Sequence, residues 1–344
     1  MLAEELLDAA RDATGRPELG YEEPPVRLGG GFFTENHAFR LRDAPPPWEG
    51  PLVVRLFPNE APADLAHREA TAQRVLAEQR YPAPPIVWFD ADARLAGRRC
   101  FVMRKLPGHM LVGGIRFREL LTSVPTLQRR LVETTAVAQA WLHCLDPAPF
   151  VARFTDAPLG VERWFERLAA FDLAPARRWL VAHRPRETAR AVICHGDLWP
   201  GNILVDGDEL SGVLDYSVVT VAEPALDVGF LAMSFDLVPL DLPAPLQRVA
   251  VRIARGFRRR YVDAYVRETG VDLANLSYYE ALRCASELTN VVAFRQAHAA
   301  GEHHDAPRPT WDAVSDQMVE YFRERTGETL RLPPPVGRDR ARGR

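Results

Sequence analysis

The chain has 344 residues, 47% of them hydrophobic and 26% charged, with 43 Lys and Arg against 46 Asp and Glu. That length accommodates two packed lobes, and the composition is that of a globular chain, not a disordered or fibrous one. A formal charge of −3 excludes a uniformly basic surface, so neither a nucleic acid nor a membrane is expected as a partner.

From the N-terminus, Leu2, Leu6, Leu7 and Ala10 recur at helical spacing among acids, a helix and not a signal peptide, and Gly15 and Pro17 close it. Val26-Arg27-Leu28, the glycines Gly29, Gly30 and Gly31, and the run to Leu41 read as strand, turn and strand. Taken alone, the triple glycine is an ordinary hairpin turn, although glycine also lets a backbone approach phosphate closely. Residues 52–57 form a strong strand with one cation, Arg55, in its middle. A helix follows from about 62 to 80, with Leu65, Ala72 and Leu76 on one stripe and Glu69 carried beside them. Strands are expected from Pro84 to Asp90 and from Arg99 to Arg104, around a turn at Ala96-Gly97. The pattern then becomes helical over 126–145, 161–173 and 175–183.

The most informative stretch runs from Val192 to Tyr216. Val192-Ile193-Cys194, Ile203-Leu204-Val205 and Gly212-Val213-Leu214 are apolar runs, the second closed by the turn Asp206-Gly207-Asp208. Asp197, Asn202 and Asp215 therefore stand where buried strands give way to loops, positions that a rigid scaffold fixes and leaves open to ligands. The D-x-x-x-x-N spacing of Asp197 and Asn202 is that of kinase catalytic loops, in which the Asp takes the proton of an attacking hydroxyl and the Asn holds Mg²⁺. A further carboxylate, Asp215, completes an oxygen donor set suited to that hard cation.

The run His195-Gly196-Asp197-Leu198-Trp199-Pro200-Gly201-Asn202-Ile203-Leu204 resembles the catalytic loop of the aminoglycoside phosphotransferase and choline kinase family of small-molecule kinases. Protein kinases resemble it less, because they carry Arg between the His and the Asp. The position of Trp199 is often His in the antibiotic kinases, a departure that bears on the substrate. The resemblance implies an α+β, bilobal, protein-kinase-like fold. Residues 1–104 would form a small, sheet-based nucleotide-covering lobe and 105–331 a larger, mainly helical lobe for catalysis and acceptor binding, with 332–344 a mobile tail.

By the same resemblance Asp197 is the catalytic base, and Asn202 and Asp215 hold Mg²⁺. Gly29, Gly30, Gly31, Thr34 and Asn36 belong to the loop over the phosphates of ATP or GTP, with Glu35 turned away. Arg55 pairs with those phosphates and Glu69 holds it in place. Backbone groups near Met103 and Lys105 read the base. His195 and Asp227 support the catalytic loop, and His143 is a structural hydrogen-bonding residue. The implied reaction transfers the γ-phosphoryl group to a hydroxyl of a small molecule. A nucleotide-binding module without catalysis and a protein kinase are the competing readings.

Beyond Asp227 the sequence says less. Residues 246–269 form an arginine-rich helix whose cations are read as solvated or paired with acids such as Asp263 and Glu268. Glu280, Glu287 and Asp236 fit either a site for a cationic acceptor or ion pairs. His303-His304 reads as a solvated loop. Cys100, Cys144, Cys194 and Cys284 form no C-x-x-C pair, which points to a reduced, cytoplasmic protein. Oligomeric state leaves no mark on the sequence.

Overall fold

The computed structural model describes residues 2–29, 34–89, 94–112, 124–154, 159–171, 173–186, 190–238, 244–301 and 310–336. Gly30, Gly31, the His303-His304 pair and the last eight residues lie outside that set. The chain divides into two compact units. One comprises Met1–Thr122, Leu145–Thr155 and Trp199–Val219, and the other Ser123–Cys144, Asp156–Leu198 and Thr220–Arg344.

The first unit is built on an antiparallel sheet. Its strands are β1 (Tyr21–Arg27), β2 (Glu35–Leu41), β3 (Pro51–Leu56), β4 (Ile86–Trp88), β5 (Arg94–Leu95) and β6 (Arg98–Arg104), in the order β1-β2-β3-β6-β4 with β5 on β6. The alternation of β3 decides what each face covers. Leu52, Val54 and Leu56 pack with Leu6 and Ala10 of helix α1 (Leu2–Thr14). Val53 and the following Phe57 pack instead with Ala66 and Ala70 of helix α2 (Leu65–Glu78). Side chains two apart on a strand share a face, so Arg55 lies on the α2 side. Strand β1 begins earlier than its sequence signal, because Glu22-Glu23-Pro24-Pro25 hides an edge strand whose prolines cost no ladder bonds that a central strand would need.

The first unit also holds β7 (His109–Met110), β8 (Ile203–Asp206) and β9 (Glu209–Val213), a small antiparallel sheet in the order β9-β8-β7. Two residues are too few for periodicity to reveal β7, and only its partner, Val205-Leu204, identifies it.

The second unit is mainly helical: α3 (Val124–Cys144), α4 (Glu162–Ala170), α5 (Ala174–Ala182), α6 (Ala225–Leu237), α7 (Ala244–Thr269), α8 (Leu276–Ala299) and α9 (Ser315–Thr326). A strand pair, Val192–Cys194 against Thr220–Ala222, anchors the segment that carries His195. Helix α6 is apolar around most of its circumference, with ten of its thirteen residues buried, so it is the centre that the other helices surround. Near its end Arg295 of α8 is 3% exposed. Its Nε bonds Asp312 at 2.7 Å, its Nη2 donates to Ser315 Oγ and its Nη1 to the carbonyl of Pro333. Leu330 is buried and Leu332 packs against the same core.

Cys100, Cys194 and Cys284 are buried and Cys144 is exposed. Among the described residues no helix is long and apolar enough to cross a membrane.

Candidate active site

The first unit gathers four of the sequence-derived site residues. Arg55 Nη2 lies 3.1 Å from Glu69 Oε1 and 3.3 Å from Asp215 Oδ1. Glu69 is fully buried and Arg55 nearly so, whereas the Asp215 side chain is 35% exposed. One guanidinium thus faces two carboxylates. Burial works against the charge on Arg55, but Glu69 and then Asp215 outweigh it and keep the guanidinium firmly protonated. Burial pushes the Glu69 carboxyl up to about 7, with Arg55 pulling the other way.

Asp215 has φ +67°, the left-handed region that a β-carbon disfavours and that Asp and Asn tolerate best. It follows β9 after Leu214 and turns its carboxylate toward Arg55, and the Ser217 amide donates to Oδ1 at 3.4 Å. Asn202 closes a 3-10 turn, Pro200–Asn202, whose last amide bonds the Trp199 carbonyl at 2.9 Å. The Asn202 carbonyl in turn accepts from Leu214 at 2.8 Å, next to Asp215. Strand pairing of Ile203 with Val213 therefore brings Asn202 and Asp215 to one end of the small sheet. Asn202 is half-buried between buried Gly201 and Ile203, and Asp215 is half-buried ahead of buried Tyr216. An amide oxygen beside a carboxylate is the donor chemistry that Mg²⁺ prefers. Arg55 Nε is buried without a hydrogen-bond partner.

The second unit positions the residues around Asp197. Asp227, 2% exposed, accepts the main-chain amides of His195 on Oδ2 and of Gly196 on Oδ1, each at 2.7 Å. Gly196 has φ +82°, a conformation open to glycine at no steric cost, and it lets two successive amides converge on one carboxylate. His143 Nε2 lies 3.2 Å from Asp227 Oδ2, and its Nδ1 lies 2.7 Å from the Tyr265 hydroxyl. Burial would raise the Asp227 carboxyl, but His143 first, then His195 and the Gly196 amide, hold it below its ordinary value. The fully buried His195 accepts the Asp197 amide on Nδ1 at 3.3 Å. The Asp197 side chain itself is half-buried.

The remaining nucleotide candidates lie in the first unit. Gly29 is exposed and Thr34 is buried. Asn36 pairs with Arg55 across the β2–β3 ladder, and its Oδ1 is buried without a partner. Glu35 bonds Arg98 and His37, and those bonds, Arg98 first, lower its carboxyl below the ordinary value. Met103 is buried in β6 between Val53 and Ile86. The amides of Arg104 and Lys105 bond the carbonyls of Pro85 and Pro51, so neither is the donor that a base would meet.

Tyr265 is the partner that the sequence did not reveal; it lies on α7, 122 residues from His143, and only packing of α3 on α7 joins them. The acids of the later helices are ion-paired. Asp236 and Glu280 meet Arg258 at 2.9 and 2.6 Å, Glu280 also meets Arg325 at 2.8 Å, and Glu287 meets Arg283 at 2.9 Å. Of the two readings open for these three acids, the structure realises the ion pairs. Arg258 pairs across helices, while Arg267 pairs along its own with Glu268.

A family model described as the phosphotransferase enzyme family matches residues 27–279. Over 182 residues the chain is 31% identical to the streptomycin 3''-kinase of Streptomyces griseus, a stretch that makes up 49% of this chain and 65% of that kinase. The matched stretch thus spans less than two thirds of the relative. Among solved structures, a candidate aminoglycoside phosphotransferase from Ralstonia eutropha JMP134 superposes with a TM-score of 0.68 at 19% identity, over 95% of this chain and 99% of that one. A thermostable aminoglycoside phosphotransferase variant crystallised with ADP and hygromycin B gives 0.57 at 13% identity, over 92% and 98%. Macrolide 2'-phosphotransferase type I gives 0.53 at 17%, over 96% and 97%. These likenesses show the expected α+β, kinase-like fold.

Proposed function

The chain belongs to the phosphotransferase enzyme family, and from that premise we propose that it transfers the γ-phosphoryl group of ATP or GTP to a hydroxyl of a small molecule. The observation that carries this reading is the buried Arg55, held by Glu69 on one side and by the half-exposed Asp215 on the other. A cation fixed in that way, with one N–H unsatisfied, is built to receive phosphate oxygens.

In this reading Asn202 and Asp215 hold Mg²⁺, which when bound neutralises charge on the transferring phosphates. Arg55 orients those phosphates, and the segment from Gly29 to Asn36 covers them. Asp197 accepts the proton of the attacking hydroxyl as its oxygen bonds to the γ-phosphorus and the bond to the β-phosphate oxygen breaks, leaving the nucleoside diphosphate. Asp227 and His195 fix the main chain on which Asp197 stands. The lobe assignment, with 1–104 over the nucleotide and 105–331 for catalysis and acceptor, accompanies this proposal. Because a loose phosphoryl-transfer transition state asks little covalent chemistry of the protein, positioning and charge neutralisation supply most of the rate.

The test follows γ-labelled ATP and GTP with Mg²⁺ against pooled aminoglycosides, macrolides, sugars and amino alcohols, with Asp197→Asn in parallel. Transfer to one pool, lost by at least about a thousandfold in the variant while nucleotide still binds, is the expected result. Undiminished transfer by the variant refutes the role of Asp197. Nucleotide binding with no transfer to any pool but slow Asp197-dependent hydrolysis to water points to an acceptor outside the pools; nucleotide binding with neither refutes the proposed reaction in favour of a non-catalytic module, and labelling of added protein would replace it with a protein kinase.

A further inference from the structure

The loop between Asp197 and Asn202 carries a residue that neither the metal nor the phosphates require. Trp199 is 39% exposed, flanked by Leu198 at 1% and by buried Pro200. Its backbone is extended, with φ −143° and ψ 164°. Its indole rests on Gly201: a β-carbon there would come within 2.3 Å of two carbons of the six-membered ring. Glycine at 201 is thus what lets the ring lie down on the loop. The turn that follows is closed by the Asn202 amide on the Trp199 carbonyl. One face of the ring is therefore seated on the main chain while part of the side chain remains open to solvent. Leaving a large aromatic surface partly in water forgoes its burial energy, and a ring held in that state by its neighbours is preorganised for a ligand.

Asp197 stands two residues before it, so their Cα atoms are separated by about 7 Å at most. Exposure along 197–200 alternates half-buried, buried, exposed, buried. The chain bends at Gly196 and Asp197 and is extended at Trp199 before the turn at Pro200. The separation suits a single saturated ring, with one face on the indole and an edge hydroxyl directed to the carboxylate. The indole face is electron-rich and attracts weakly positive C–H groups. Charge points the same way. Asp236, Glu280 and Glu287, the acids that could have selected a polycation, are each matched by an arginine.

We propose that Trp199 is the acceptor's stacking platform and that the acceptor is a sugar or cyclic polyol, its C–H face laid on the indole and a ring hydroxyl presented to Asp197. This rests on the phosphotransfer reading of the site.

The test measures binding, so it does not depend on turnover. Saturation-transfer NMR is run on the full chain with Mg²⁺ and a non-hydrolysable ATP analogue, using methyl glycosides, inositols, choline and benzyl alcohol as probes. Wild type, Trp199→Ala, Trp199→Phe and Gly201→Ala are compared, with circular dichroism and the affinity for the ATP analogue confirming a folded, nucleotide-binding protein. At least one sugar or cyclitol is expected to bind wild type, about tenfold more weakly to Trp199→Ala, and within about threefold of wild type to Trp199→Phe. Gly201→Ala, which keeps the tryptophan but lifts its ring, should weaken the same probe at least about threefold. Equal affinity in wild type and Trp199→Ala overturns the proposal, as does the absence of any sugar or cyclitol binding. Dependence on Trp199 confined to choline or benzyl alcohol overturns the proposed acceptor class. Binding that depends on Trp199, with no labelled phosphoryl transfer to the bound probe, would sink the catalytic reading and leave the platform standing.

Discussion

Replacing Asp227 by Asn tests how the loop around Asp197 is held. The carboxylate accepts two successive main-chain amides, one on each oxygen, and faces His143 as well. Asparagine has one acceptor oxygen and one NH₂ group. Whichever way it turns, one of the His195 and Gly196 amides then faces another donor inside the protein. A buried amide left unpaired costs about 1–3 kcal/mol, and the surviving bonds lose their charge assistance. The total is about 3 kcal/mol. For a unit of roughly two hundred residues this lowers the melting temperature by about 6–12 °C, measurable by calorimetry at neutral pH. The difference should shrink in acid. The folded-state pKa of Asp227 lies below its ordinary value of 3.8, so its contribution is present above that value and is lost as pH falls through the lower one. A variant melting within about 2 °C of wild type at neutral pH, or a difference that fails to narrow in acid, would refute the clamp.

Three further outcomes are expected. Between its ordinary value of 4.5 and about 7, native Glu69 keeps a proton that the unfolded chain has released, so rising pH costs stability in that window; Glu69→Gln should flatten this part of a melting-temperature profile, and an unchanged slope would argue against it. Arg295→Lys removes a fork that serves Asp312, Ser315 and Pro333 at once, which lysine cannot reproduce; a loss of about 3 kcal/mol in denaturant unfolding is expected, and a loss below about 1 kcal/mol would contradict it. Asp215→Asn preserves the tolerance for positive φ and removes the charge, so the fold should melt close to wild type while Mg²⁺-dependent binding of an ATP analogue weakens about tenfold or more. Unchanged metal-dependent binding would remove Asp215 from the proposed metal site.

Much of the architecture was legible because strong local signals agree with tertiary need. The apolar run 52–57 predicts the strand that carries Arg55, and the helix after Pro62 carries Glu69 beside its apolar stripe. The spacing from His195 to Asp215 likewise foretold a strand–loop–strand arrangement that the ladders realise. What escaped was whatever depends on a partner far along the chain. The edge strand at Tyr21 hides behind two acids and two prolines, and β7 exists only because β8 offers it a ladder. Tyr265 has no marker of its own, since its role arises where α7 meets α3. The choice among fates for Asp236 and Glu280 required knowing that Arg258 and Arg325 arrive from two other helices. Nor could side-chain identities show that the Arg104 and Lys105 amides are committed to Pro85 and Pro51.

The distribution of the thiols has a practical reading. Burial raises the thiols of Cys194 and Cys284 far above the range in which a thiolate forms, and Cys100 is enclosed as well. Cys144 alone is exposed, and it immediately follows His143, which contacts Asp227. Alkylation chemistry should therefore tag the native chain at a single position, one residue from the contact that braces the loop. A fluorophore or ¹⁹F label there would need no cysteine removed beforehand, and its signal would report on that brace as nucleotides and candidate acceptors are added.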